Sequence, residues 1–76
     1  MFLHDLPIHV NSSGISGVGI EPEGDWFPAV VGDRFLIRFM QNADEDPEVE
    51  LEVKDNMILV YSGTEKQVWN NDVRKR

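Results

Sequence analysis

Seven consecutive residues, Glu48-Val49-Glu50-Leu51-Glu52-Val53-Lys54, alternate charged and apolar side chains without a break. A strand points successive side chains to opposite faces, so this pattern gives one wet face and one apolar face. A helix would scatter the same charges around its circumference. Arg34 to Met40 has the same period, with Phe35, Ile37 and Phe39 on one side and Arg34, Leu36, Arg38 and Met40 on the other. Pairing the two segments antiparallel across 41–47 opposes 39 with 49, 37 with 51 and 35 with 53. That register gathers six apolar side chains on one face and sets Arg38 against Glu50, an exposed ion pair worth about 0.5 kcal/mol. A slip of one residue would bury the glutamates.

Asp55-Asn56 follows as a two-residue turn, since both residue types tolerate positive φ. It opposes Val53 with Ile58 and Leu51 with Val60, extending the same core face. A turn at Ser62-Gly63-Thr64 leads to a last strand over 65–69, with Val68 on the core side. The C-terminal half therefore reads as a β-meander. In the N-terminal half, Ile8-His9-Val10 and 15–20 are strand-like but laced with glycine. No stretch keeps a helical period, and prolines at 7, 22, 28 and 47 oppose one. The expected fold is all-β: one domain over 1–76, an antiparallel barrel or sandwich with a C-terminal meander.

Charge narrows the function. Acids number 14 against 7 bases, a net −7. A dedicated DNA or RNA binder needs a basic footprint, and an anionic membrane would repel this chain, so neither direct nucleic acid nor membrane is expected as a partner. With no cysteine there can be no disulfide, thiolate zinc site or cysteine nucleophile. Apolar runs reach only four or five residues and the N-terminus lacks a basic region, which makes the cytoplasm the expected compartment.

No catalytic, metal or cofactor site emerges. His4 and His9 are separated by Pro7 and fall on opposite faces of a strand. The serines lack a histidine–acid constellation. The glycines of 14–19 lack both the lysine of a P-loop and the spacing of a dinucleotide fingerprint. The acidic run Asp44, Glu45, Asp46 at a hairpin tip, with Glu48, Glu50 and Glu52 along one strand face, lacks the alternating ligands and turn glycine of a calcium loop. Its glutamates recur every 6.5–7 Å or so, close to the phosphate spacing of a nucleic-acid strand. They form a solvated face, a weak and non-specific cation-binding surface, or a surface for a basic partner. The apolar residues interleaved with these charges, Leu36, Met40, Met57, Leu59, Tyr61 and Trp69, are either covered by the N-terminal strands or left as a protein-binding patch.

Gly14-Ile15-Ser16-Gly17-Val18-Gly19-Ile20 resembles the (D/N)-x-S-x-x-G motif of PilZ domains. Val30-Val31-Gly32-Asp33-Arg34-Phe35-Leu36-Ile37-Arg38-Phe39 is similar to the turn and barrel strand that follow it in that family. The resemblance spans roughly 14–54 and implies a non-catalytic six-stranded barrel that binds cyclic di-GMP or acts as an adaptor. Ser16 and Gly19 carry over as ligand-binding positions. The family's R-x-x-x-R motif has no counterpart, because no arginine precedes Arg34, and Gly14 replaces the leading Asp/Asn.

The residues thus point to a non-catalytic acidic β-domain acting as a protein-binding adaptor or inhibitor, against a basic nucleic-acid-handling partner. Asp44, Glu45, Asp46, Glu48, Glu50, Glu52, Met57, Leu59, Tyr61 and Trp69 would form its surface. The alternatives are a PilZ-like sensor and a structural subunit that self-associates as a homo-oligomer.

Overall fold

The computed structural model describes residues 2–41, 49–62 and 64–76, and these form eight strands and no helix. The strands are β1 (Phe2–His9), β2 (Gly17–Glu21), β3 (Asp25–Pro28), β4 (Arg34–Gln41), β5 (Val49–Lys54), β6 (Met57–Ser62), β7 (Thr64–Asn70) and β8 (Val73–Arg74). They divide into two four-stranded sheets, ordered β1-β4-β7-β8 and β3-β2-β6-β5. All neighbours are antiparallel except β2 and β6, which run parallel. The all-β expectation holds, in the sandwich form, because the sheets do not close into a barrel. No helix among the described residues is long and apolar enough to cross a membrane.

The core lies between the sheets. Phe35, Ile37 and Val68 from one meet Val18, Ile20 and Val60 from the other, with Val10 and Ala29 completing the cluster. Phe35, Ile37 and Phe39 are all buried, as the alternation of β4 requires.

The expected β4–β5 hairpin does not form. Both edges of β4 are taken, by β1 on one side and β7 on the other, and β5 sits in the second sheet beside β6. The meander shrinks accordingly to the β5–β6 hairpin. Arg38 faces Asp5 rather than Glu50, donating to both carboxylate oxygens at 2.7 and 3.0 Å. Within the hairpin, Val53 opposes Ile58 and Leu51 opposes Val60 as expected. Asp55 and Asn56 have φ of 52° and 64°, the left-handed pair of a type I′ turn. Leu51 and Val53 do not join the core, however. They are 53% and 68% exposed, because β5 is the outermost strand and the sheet's apolar face runs past its cover.

An unforeseen second hairpin joins β7 to β8 through Asn71 and Asp72, at φ of 51° and 66°. It is anchored by the buried Asp33, which accepts from the Val30 amide and from the side-chain amides of Asn70 and Asn71. The basic C-terminus is ordered by this hairpin. The Lys75 amide donates to the Val68 carbonyl at 2.7 Å, and Arg76 pairs with Asp25 on β3. Nearby, the fully buried ammonium of Lys66 on β7 donates to both oxygens of Glu23 in the β2–β3 turn, at 2.9 and 3.1 Å. These two ion pairs tie the sheets together along one margin.

Candidate functional site

The outer face of the β3-β2-β6-β5 sheet gathers most of the described residues picked out by the sequence pattern. Lateral neighbours in a sheet share a face. The ladder therefore sets Gly17, Met57 and Lys54 in one row, Gly19, Leu59 and Glu52 in the next, and Glu21, Tyr61 and Glu50 in the third. Trp26 opposes Gly19 from β3. A β-carbon on Gly17 would lie 2.1 Å from the Trp26 indole nitrogen, and one on Gly19 would lie 2.7 Å from a Leu59 methyl. The glycines of β2 are thus a backbone floor that lets two large apolar side chains lie close to the sheet. Trp26 is 51% exposed, so one side of its ring remains open to solvent.

Tyr61 is the electrostatic centre of this face. Partial burial pushes its phenol above the ordinary value of 10.0. The charges of Glu52, Glu21 and Glu50 push the same way, as does the hydrogen bond it shares with Glu52. Each effect opposes a further negative charge at that spot. Glu50 and Glu52 are exposed, whereas Met57 and Tyr61 are half-buried and Leu59 is buried. The product is an apolar strip along β6 flanked by carboxylates on both sides, the layout of a protein-binding patch with a polar rim.

Two expectations change here. None of the N-terminal strands folds over this face: β1 joins the opposite sheet, while β2 and β3 extend this one sideways. Trp69, with Leu36 and Met40, does not join Tyr61. These residues belong to β4 and β7 and so to the other sheet's outer face, where Arg38 and Arg74 lie over the Trp69 ring at 5.4 and 5.7 Å. That second face has a shallow cavity of about 500 Å³ lined by Leu3, Arg38, Met40, Gln67 and Arg74, among others. Alternation assigns a side to each residue along its own strand, but it cannot say which sheet the strand enters. Asp44, Glu45, Asp46 and Glu48 lie outside the described residues.

Glu21 and Trp26 are the members that strand-by-strand reading missed. The available signal was Gly17-x-Gly19, two glycines on one face, which marks a close approach to the backbone. Ser16 and Gly19 both have local partners: the Ser16 hydroxyl donates to the Asn56 carbonyl at 3.3 Å, and Gly19 lies under Leu59. His4 stacks on Phe39 with ring centroids 5.3 Å apart. Among the described residues no three histidine or acidic groups converge to hold a metal.

No family model, curated protein or solved structure matches the chain.

Proposed function

We propose that this protein is a non-catalytic binding module, an adaptor or inhibitor, that engages a basic protein surface through the outer face of the β3-β2-β6-β5 sheet. One observation carries the reading: Tyr61 stands half-buried between Glu21 and Glu50 on the sheet's outer face, in line with Met57 and Leu59 and with the half-exposed Trp26 two strands away, and the charges of Glu52, Glu21 and Glu50 all raise its phenol. The apolar strip supplies area that favours burial. The carboxylates choose a partner with the opposite charge and speed its approach. The spacing of Glu50 and Glu52 along one strand supports a partner whose basic surface otherwise holds nucleic acid.

The test is capture from a cell lysate on the immobilised chain, eluted with a salt gradient, beside the variant Glu21→Gln/Glu50→Gln/Glu52→Gln. A specific basic protein should be retained at low salt and released as screening shortens the reach of the charges. The variant should hold it about tenfold more weakly, equivalent to roughly 1.4 kcal/mol. Equal retention by the variant would overturn the proposal.

A further inference from the structure

Four strand edges face outward among the described residues, and three are blunted. β1 contains Pro7, β3 is four residues long and ends at Pro28, and β8 has two residues, beyond which Lys75 and Arg76 continue along β7 through hydrogen bonds with Val68. β5 is six residues long, contains no proline, and keeps an unbroken register with β6. Its free edge is the kind of template that natural sheets usually protect.

The hairpin geometry says which groups that edge offers. In a two-residue hairpin the closing pair, here Lys54 and Met57, exchanges both backbone hydrogen bonds. Alternation then directs the backbone of Lys54, Glu52 and Glu50 toward β6. The N–H and C=O groups of Val53, Leu51 and Val49 point to the open side. A strand added there would find Leu51 and Val53 beside it on one face, both more than half exposed. On the other face it would find Glu50 and Glu52, with Tyr61 behind them.

Charge decides the occupant. Two copies of β5 paired antiparallel with their apolar sides together would set Glu50 against Glu52, or Glu52 against its own copy, in the registers that overlap the strand most, and like charges across a ladder destabilise it. We infer that the open edge of β5 accepts an extended segment of a partner protein in which Lys or Arg alternates with apolar residues, as an added antiparallel strand. The basic side chains lie beside Glu50 and Glu52, and the apolar ones cover Leu51 and Val53. Main-chain hydrogen bonds hold such a segment and the alternate side chains select it. This inference rests on the acidic face meeting a basic partner and names the form that partner takes.

The probe is a synthetic peptide, acetyl-Thr-Lys-Val-Arg-Val-Lys-Thr-amide, titrated into the full chain. Its control is the same peptide N-methylated at both valines, which keeps charge and apolar area but removes the donors to β5. The readout is residue-resolved amide hydrogen exchange together with affinity. With the plain peptide, the Leu51 and Val53 amides should slow by about tenfold or more. Glu50, Glu52 and Lys54 are already bonded to β6 and should change little. The methylated peptide should give no such protection, and Glu50→Gln/Glu52→Gln should weaken the plain peptide about tenfold. If both peptides bind equally and salt-sensitively without protecting Leu51 and Val53, strand addition is wrong while the acidic-face reading stands. If neither peptide binds at millimolar concentration, strand addition is overturned, and capture on the acidic face still judges the broader reading.

Discussion

The two side margins of the sandwich are finished in different ways. Along β3, β7 and β8 the sheets are joined by Lys66–Glu23 and Arg76–Asp25, and the C-terminal residues hydrogen-bond to Val68. At β5 the apolar face simply ends, with Leu51 and Val53 open to solvent. The first margin converts charge into internal structure. The second presents the same kinds of residue, carboxylates and aliphatics, outward. Exposed aliphatics occur elsewhere too, at Leu3, Val30, Val31 and Val73, but Leu51 and Val53 stand two residues apart on one face of an unpaired strand edge, so an added strand there would cover both at once.

The largest effect should come from breaking the closed margin. Glu23→Gln removes the carboxylate that accepts two hydrogen bonds from the buried Lys66 ammonium. Breaking a buried pair costs about 3–5 kcal/mol, and the partial exposure of Glu23 reduces that to about 2–3 kcal/mol; urea unfolding at neutral pH measures it. The same variant probes the acid side. Burial by itself would raise the Glu23 carboxyl, but hydrogen bonds from Lys66 and the backbone, with the charges of Lys66 and Arg76, hold it below its ordinary 4.5. Its folded pKa therefore lies below its unfolded one. The stabilisation is complete above about pH 4.5 and fades as pH falls through the lower, folded value. Wild type should lose stability across that interval more steeply than Glu23→Gln, and an equal slope would show that the pair does not form.

A smaller effect is expected at the centre of the acidic face. Tyr61 is the single tyrosine, so phenolate absorbance reports it alone. Its midpoint should lie above 10.0, and Glu52→Gln should bring it down by removing the neighbouring charge that raises it most. Here the folded pKa is the higher one, so the associated stability is complete below pH 10.0 and is lost as pH rises through the folded value. A midpoint at or below the ordinary value would mean that Tyr61 does not stand among these carboxylates.

The smallest effect should be at the open margin. Val53→Thr keeps a β-branched shape on a side chain that buries little, so unfolding should shift by less than about 0.5 kcal/mol. A loss as large as that of Glu23→Gln would show that Val53 is covered and that the two margins are alike.

Much of the architecture was legible along the chain. The faces of β4 and β5, the Asp55-Asn56 turn and the pairing of Val53 with Ile58 all follow from period and turn chemistry. Asn71-Asp72 carries the same turn signal at the other end of the molecule, and it locates β8 once the parallel with Asp55-Asn56 is drawn. The site was legible in part. Glu50, Glu52, Met57, Leu59 and Tyr61 share a face because β5 and β6 are joined by a short turn, a local relation. Glu21 and Trp26 reach that face only through the parallel pairing of β2 with β6, about forty residues apart in the chain. Trp69 left it because β7 pairs with β4.

From its order of residues alone, this protein determined that it is built from strands, which side chains stand together on each strand, and where the Asp55-Asn56 reversal occurs. Those properties depend on neighbours a few residues apart, where side-chain period and φ preference act directly. Only the tertiary structure decided which strands became neighbours. The alternating pattern of β4 is satisfied equally by β5, β1 or β7, since each offers an apolar face. The choice among them is settled by how the whole core fills and by the loops that must close around it. That choice placed β4 in the middle of one sheet and left β5 at the rim of the other.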